Sequence, residues 1–215
     1  MPTYLNEYIS YTKKKTAYIP VGTIEWHGSH LPIETDFLVA QKICGLLQKK
    51  KDGYVLPPIY LGTDTMEEKN GKKLIGMDRA LGKELKGSLY YVEPELFQEM
   101  IKSLVENLKK DGFKKCYIVT GHAGSAQIKT LKKLENKIVR LIDPYELFSV
   151  NVEHADEYET SLFWACYPEE EKKSRAIKIS ANDDFIKDMG YDVREKASLK
   201  IGKKMLKEML NKIKI

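Results

Sequence analysis

The sequence predicts an α/β fold: a three-layer α/β/α arrangement around a mostly parallel central sheet, in a single domain over residues 1–215. Three observations lead there. Short β-rich apolar runs alternate with stretches of helical periodicity, the pattern of successive strand-helix units. Histidines stand directly after two of the strand-like runs, where open α/β sheets place their ligands. A length of 215 residues, with 42% hydrophobic and 31% charged residues, describes a globular chain able to bury one substantial core.

The elements read as follows. Met1 to Lys15 is polar, with lysines at its end and no apolar core before a small-residue cleavage site, so it is not read as a secretory signal. Thr16 to Gly22 is a short buried strand. Thr35 or Asp36 then caps a helix whose apolar run extends from Phe37 to Leu47. Tyr54 to Tyr60 is β-rich but carries Pro57 and Pro58, which makes it a short or irregular strand. Gly62 to Gly87 has no sustained period and reads as a long excursion of the kind that often serves function.

Order returns at Glu93-Pro94, where proline suits a first helical turn. Phe97, Ile101, Leu104 and Leu108 keep helical spacing until Asp111-Gly112 stops it. Cys116 to Thr120 has the composition of a central strand and leads through Gly121-His122-Ala123-Gly124 into a helix ending near Leu134. Ile138 to Ile142 is a further strand, Ser161 to Cys166 continues a helix, and Val193 to Ile213 forms a closing amphipathic helix.

Composition narrows the function classes. No apolar run reaches the length of a membrane span, so no membrane is expected. The net charge of +5 comes from lysines in mixed runs such as Lys102 to Lys115, a solvated face without aromatic interleaving, so no nucleic-acid partner is expected. Cys44, Cys116 and Cys166 are widely spaced in apolar stretches and read as buried reduced thiols, consistent with a cytoplasmic location.

All four histidines fall in three short clusters beside carboxylates. The first is Glu25-Trp26-His27-Gly28-Ser29-His30-Leu31-Pro32 with Asp36 beyond it, the second Thr120 to Gly124, the third His154 to Ser161. Glu25 and His27 are two residues apart and project to the same side of an extended chain, so both can reach one metal centre. A carboxylate at Asp36, at the mouth of its helix, can bridge two cations. Oxygen and imidazole donors without thiolate suit zinc, manganese or iron alike. Two such cations would bind a hydroxide at neutral pH and polarise a carbonyl, the requirements of amide hydrolysis. The third cluster offers a proton donor and an extra ligand. Trp26, facing away from its neighbours, reads as core packing.

At these residues the chain resembles a known family. Pro20-Val21-Gly22-Thr23-Ile24-Glu25-Trp26-His27-Gly28-Ser29-His30-Leu31-Pro32 with Asp36 is similar to the leading motif of the creatininase family, Gly121-His122-Ala123-Gly124 to its second, and His154-Ala155-Asp156-Glu157-Tyr158-Glu159-Thr160-Ser161 to its third. Their order and spacing match over roughly residues 17 to 165. The resemblance implies a creatininase-like fold and two divalent metal ions. Glu25, Asp36 and His122 would hold one ion and His27 and Asp36 the other, with Asp36 bridging and Glu159 as an additional ligand. It places His154, with Glu159, among the catalytic residues, as general acid or proton shuttle, and leaves His30 either holding a ligand or loop or bonding a cation directly. It further implies a small-molecule substrate and a homo-oligomer, often a hexamer in the family.

The sequence also departs from the family pattern. Ala123 and Ser125 replace a glycine and an asparagine, Asp156 replaces a glycine, and Thr63 to Lys69 lacks a histidine often present there. Creatinine hydrolases carry a metal-binding glutamate two residues after the second histidine, where this chain has Gly124, which points away from creatinine itself. The reading is therefore a metal-dependent amidohydrolase acting on a cyclic amide or formamide. A two-metal phosphoesterase and a non-catalytic ligand-binding relative are the alternatives.

Overall fold

A computed structural model describes residues 3–180 and 183–215. Strand β1 (Thr16–Val21) is buried along its whole length. It lies between β2 (Tyr54–Val55) and β5 (Lys115–Thr120), and β5 pairs in turn with β6 (Val139–Ile142). Every pairing in the order β2-β1-β5-β6 is parallel. Because side chains alternate along a strand, β1 feeds two separate cores. Tyr18 points toward α2 (Thr35–Lys50), α6 (Glu157–Cys166) and α9 (Leu199–Lys212), while Ala17, Ile19 and Val21 pack against α4 (Pro94–Lys110) and Leu131 of α5 (Ser125–Lys132). These are the three layers expected, with helices on both faces of a parallel sheet.

Several local expectations change. The N-terminal segment, read only as polar, contains α1 (Leu5–Thr12). Its Tyr8 ring packs edge-on against Tyr54 at 5.1 Å, and the Tyr8 hydroxyl donates to Asp111 at 2.6 Å. The strand at 54–60 is reduced to two residues by its prolines, although Val21 still bridges Ile59. The excursion from Gly62 to Gly87 holds an antiparallel hairpin, β3 (Met66–Lys69) and β4 (Lys72–Ile75), followed by α3 (Met77–Leu81). Asn70 and Gly71 both have positive φ, as a two-residue type I′ turn requires.

Later in the chain, α7 (Pro168–Ala176) and α8 (Asp184–Met189) had no counterpart in the sequence reading. The closing helix does not run from Val193. Residues Val193–Glu195 form a separate 3-10 turn, and α9 starts only after Ser198, whose extended backbone and hydroxyl, accepting from the Ile201 N–H, make a new cap. The helix that Ser161 to Cys166 continues, α6, begins at Glu157, because the Asp156 carboxylate accepts from the N–H groups of Tyr158 and Glu159. Cys44, Cys116 and Cys166 are buried and free. No helix among the described residues is long and apolar enough to cross a membrane.

The register of the sheet positions the site. Val21 pairs with Thr120, so β1 and β5 end level with each other and Gly22 and Gly121 follow side by side. Both glycines abut the first turn of α2. A Cβ on Gly121 would overlap the Asp36 carbonyl, and one on Gly22 would overlap the Phe37 amide. With no side chains in the way, the start of α2 seats directly on the strand ends and presents Asp36 there.

Candidate metal centre

The segment from Gly22 to Glu34 is irregular rather than extended, yet Glu25 and His27 both face the strand ends. It is tied down by its backbone: the Glu25 N–H donates to Ile33 O at 3.1 Å, and Ile24 O accepts from Leu89 N at 3.0 Å. His27 Nδ1 lies 3.1 Å from Glu25 O. A carbonyl can only accept, so this nitrogen carries the hydrogen and Nε2 faces the site. His27 Nε2 lies 3.0 Å from Asp36 Oδ1 and 3.9 Å from Glu159 Oε2.

On the other side of Asp36, His122 Nδ1 lies 2.9 Å from Glu25 Oε1 and 3.2 Å from Asp36 Oδ2. Asp36 was expected to cap its helix. Glu34 occupies the cap position instead, without a side-chain hydrogen bond, and Asp36 sits in the first turn with one oxygen toward each histidine. Glu25, Asp36 and His122 thus form one compact donor group and His27, Asp36 and Glu159 another, with Asp36 common to both.

Glu159 reaches the centre from the first turn of α6. The Tyr145 hydroxyl donates to its Oε1 at 2.8 Å, and the Ala155 N–H donates to its Oε2 at 2.5 Å. Ala155 holds the left-handed conformation, φ 55°, which is costly for a residue with a Cβ. His154 stands at the rim. Its Nε2 lies 2.6 Å from the Trp26 carbonyl, which assigns the hydrogen to Nε2 and leaves Nδ1 facing Glu25 Oε1 at 3.7 Å. His154 also falls within ligand range of Glu25 and His27. Trp26 is half-buried, as a packing residue, and stacks on His154 at 6.3 Å.

His30 does not join the centre. Its Nε2 is 2.8 Å from Thr160 Oγ1 and its ring stacks on Phe185 at 4.4 Å, so it braces the first-motif loop against α6 and α8. Burial pushes its pKa down to about 3, which keeps the imidazole neutral.

Three residues at the centre carried no sequence motif. Besides Tyr145, the Tyr91 hydroxyl donates to Glu25 Oε2. Asp64 Oδ2 lies 3.5 Å from His122 Nε2. Tyr145 follows the end of β6, so the strand-end rule that located His122 could have found it. Asp64 and Tyr91 come from stretches without periodicity and offered no such signal.

Electrostatics shows what this cluster is suited to hold. Burial opposes a charge on His27, but Asp36, Glu159 and Glu25 outweigh it and raise its pKa to about 10. Burial likewise opposes a charge on His122, and the carboxylates around it hold its proton well above the usual range. Burial would raise Asp36, yet the two histidines hold it well below the ordinary carboxylate range. Protons on His27 and His122 therefore offset part of the negative charge of Glu25, Asp36 and Glu159 in the metal-free protein. Asp36 Oδ2 and His122 Nε2 remain buried without hydrogen-bond partners. A nitrogen and oxygen donor set of this charge, with unspent polar atoms, fits divalent transition cations.

Cation binding must displace those protons, which sets a pH dependence. The raised pKa of His27 stabilises the metal-free fold below the unfolded value near 6.5, and that stabilisation is lost as pH rises toward about 10. Apparent cation affinity is accordingly expected to strengthen with rising pH between about 6 and 9, with proton release. Calorimetric titration in buffers of different ionisation enthalpy checks this; a pH-independent affinity without proton release would contradict the arrangement.

Comparison with known proteins identifies the family and the fold. The chain matches the creatininase family model, described as creatinine amidohydrolase, over residues 5–213. A creatinine amidohydrolase of Pseudomonas putida is 23% identical over 168 residues, 70% of this chain, and the alignment spans 64% of that protein's length. Two solved structures share the fold at 17% identity, covering 97% of this chain and 92% of theirs. One, described as a mutant creatininase of Zn-Zn type, superposes with a TM-score of 0.67, and the other, a creatininase with Mn, with 0.68. A match over nearly the whole chain, together with motifs that converge at the ends of the central strands β1 and β5, establishes that this protein belongs to the creatininase family.

Proposed function

We propose that this protein is a metal-dependent amidohydrolase that opens a non-peptide C–N bond, a cyclic amide or a formamide, in a small molecule. The observation that carries this reading is the pair of donor groups sharing Asp36 at the strand ends. In this reading Glu25, Asp36 and His122 hold one divalent cation, and His27, Asp36 and Glu159 hold the other. Such a pair supplies electrophilic polarisation of a carbonyl and acidifies a water molecule.

The chain's own groups handle position and protons. Tyr145 and the Ala155 N–H fix both oxygens of Glu159, and Tyr91 fixes the Glu25 carboxylate, so donor geometry is set before substrate arrives. His154, with Nδ1 toward the centre, accepts a proton from the attacking water. It then delivers that proton to the nitrogen as the C–N bond breaks, which an amide nitrogen requires to leave. The cleft over these residues measures ≈ 290 Å³, the size for a small molecule. Met77, Arg79 and Ala80 of α3 line its mouth, so the excursion between Gly62 and Gly87 shapes substrate access.

The test begins with elemental analysis of the purified protein. Chelation, reloading with zinc or manganese, and assay against formamides and cyclic amides then follow. About two equivalents of metal per chain, with hydrolysis lost on chelation and restored on reloading, are expected. A protein that takes up no cation, or hydrolyses equally well without it, would overturn the reading.

A further inference from the structure

We infer that Asp64 is a positioning residue for the cation site of Glu25, Asp36 and His122: it receives the Nε2–H of His122 and so turns the Nδ1 lone pair toward the cation. The inference rests on the two-cation reading above and concerns how one of its ligands is held. His122 uses Nδ1 toward Glu25 and Asp36, which leaves Nε2 on the far edge of the ring. That nitrogen is buried, has no hydrogen-bond partner, and has Asp64 Oδ2 3.5 Å away. A metal-bound imidazole carries a hydrogen on its other nitrogen and commonly donates it to a carboxylate, which fixes tautomer and ring orientation and makes the ligand more basic. Asp64 is the carboxylate in place for that hydrogen.

A second observation shows that the local sequence is shaped around this pair. A Cβ on Gly124 would lie 2.7 Å from both Asp64 Cγ and Asp64 Oδ2 and would overlap His122 Nε2. The space that a side chain at 124 would fill is taken by the Asp64 carboxylate and the edge of the His122 ring. Gly124 has φ −54°, an ordinary value, so the requirement for glycine is one of space and not of backbone conformation. Asp64 is itself held, since its Oδ1 accepts from the Thr65 N–H at 2.6 Å. The departure of this chain at Gly124 and the acidic residue at 64 are therefore two halves of one arrangement.

Asp64→Asn separates the roles. Asparagine can still accept from the Thr65 N–H through its amide oxygen, but it turns an NH2 donor toward a ring nitrogen that must itself donate. Zinc binding by calorimetry, and the hydrogen bonding of the His122 Nε2–H in the zinc-loaded protein by 15N NMR of labelled histidine, are the two readouts. The His122 signal is assigned by its loss in His122→Gln. In Asp64→Asn, one of two zinc ions is expected to bind about 10–100-fold more weakly. The other should keep its affinity, and the His122 Nε2–H signals should lose the shift of a hydrogen donated to a carboxylate. Unchanged zinc affinity and unchanged His122 signals would overturn the inference while leaving the two-cation reading standing. Complete loss of one ion with His122 signals unaltered would also overturn it, by making Asp64 a direct ligand. Failure of the wild-type protein to take up zinc removes both readings together.

Discussion

Asp36→Asn is expected to empty both cation sites and reduce hydrolysis to background. Removing a group that only supports a metal ligand costs about 10–100-fold in affinity, and Asp36 gives one oxygen to each donor group. Losses of more than about 100-fold for both ions are therefore expected, rather than for one. The change is nearly isosteric, so far-UV circular dichroism should remain that of the wild type. The substitution also removes the largest of the three carboxylate influences that raise the pKa of His27. The variant's remaining weak binding should then depend less steeply on pH than that of the wild type. Elemental analysis of the two proteins purified side by side makes the comparison. Two full equivalents of metal in the variant would show that Asp36 does not bridge.

The second large effect is expected from a residue that carries no chemistry. Gly121→Ala places a methyl group where the Asp36 carbonyl stands, 2.7 Å from the Asp36 carbonyl carbon, and the obstacle is backbone that cannot rotate away. The start of α2 must lift from the sheet, at a cost of about 3 kcal/mol for overpacking against a rigid neighbour. For a chain of this size that lowers Tm by about 6–12 °C. Because α2 carries Asp36, cation affinity should fall with it. Gly45→Ala, in the interior of the same helix with open space around the new methyl, provides the contrast and should stabilise by about 0.5–1 kcal/mol. Thermal unfolding of the three proteins decides the matter. Equal Tm values would mean that close seating of α2 on the strand ends is not what positions Asp36.

The arrangement at Gly121 also shows why the fold was legible. A buried strand with β-branched and aromatic residues, a glycine at its end, and a helix beginning some residues later form a local pattern, and it occurs at both β1 and β5. Elements whose periodicity was strong, such as α4, were located to within a residue or two. The segments that escaped, α1, α7 and α8, are only six to nine residues long, too short for a sustained helical period to stand out. Their packing comes from a few contacts with distant residues, such as Tyr8 on Phe113 at 6.1 Å. The β3–β4 hairpin was missed for a different reason. Its Asn70-Gly71 turn is a sequence signal, but the strands around it are largely exposed and charged, without the alternation that would have drawn attention to it.

The candidate site divides in the same way. Glu25, His27, Asp36, His122, His154 and Glu159 stand in three motifs, so the residue types and their order were sufficient to nominate them. By itself the sequence determined the parallel α/β architecture and the family, and it nominated these six residues, because each depends on periodicity or spacing within a short stretch of chain. Only the tertiary structure decided which oxygen of Asp36 meets which histidine, that His30 braces a loop instead of joining the centre, and that Tyr91 meets Glu25, Tyr145 meets Glu159 and Asp64 stands beside His122. Those relations join residues far apart in the chain, 130 positions in the case of His30 and Thr160, and depend on register at the strand ends and on space left by glycine. Hydrogen bonds and steric exclusion act over a few ångströms, and a separation along the chain carries no record of that distance until the sheet has brought the ends together.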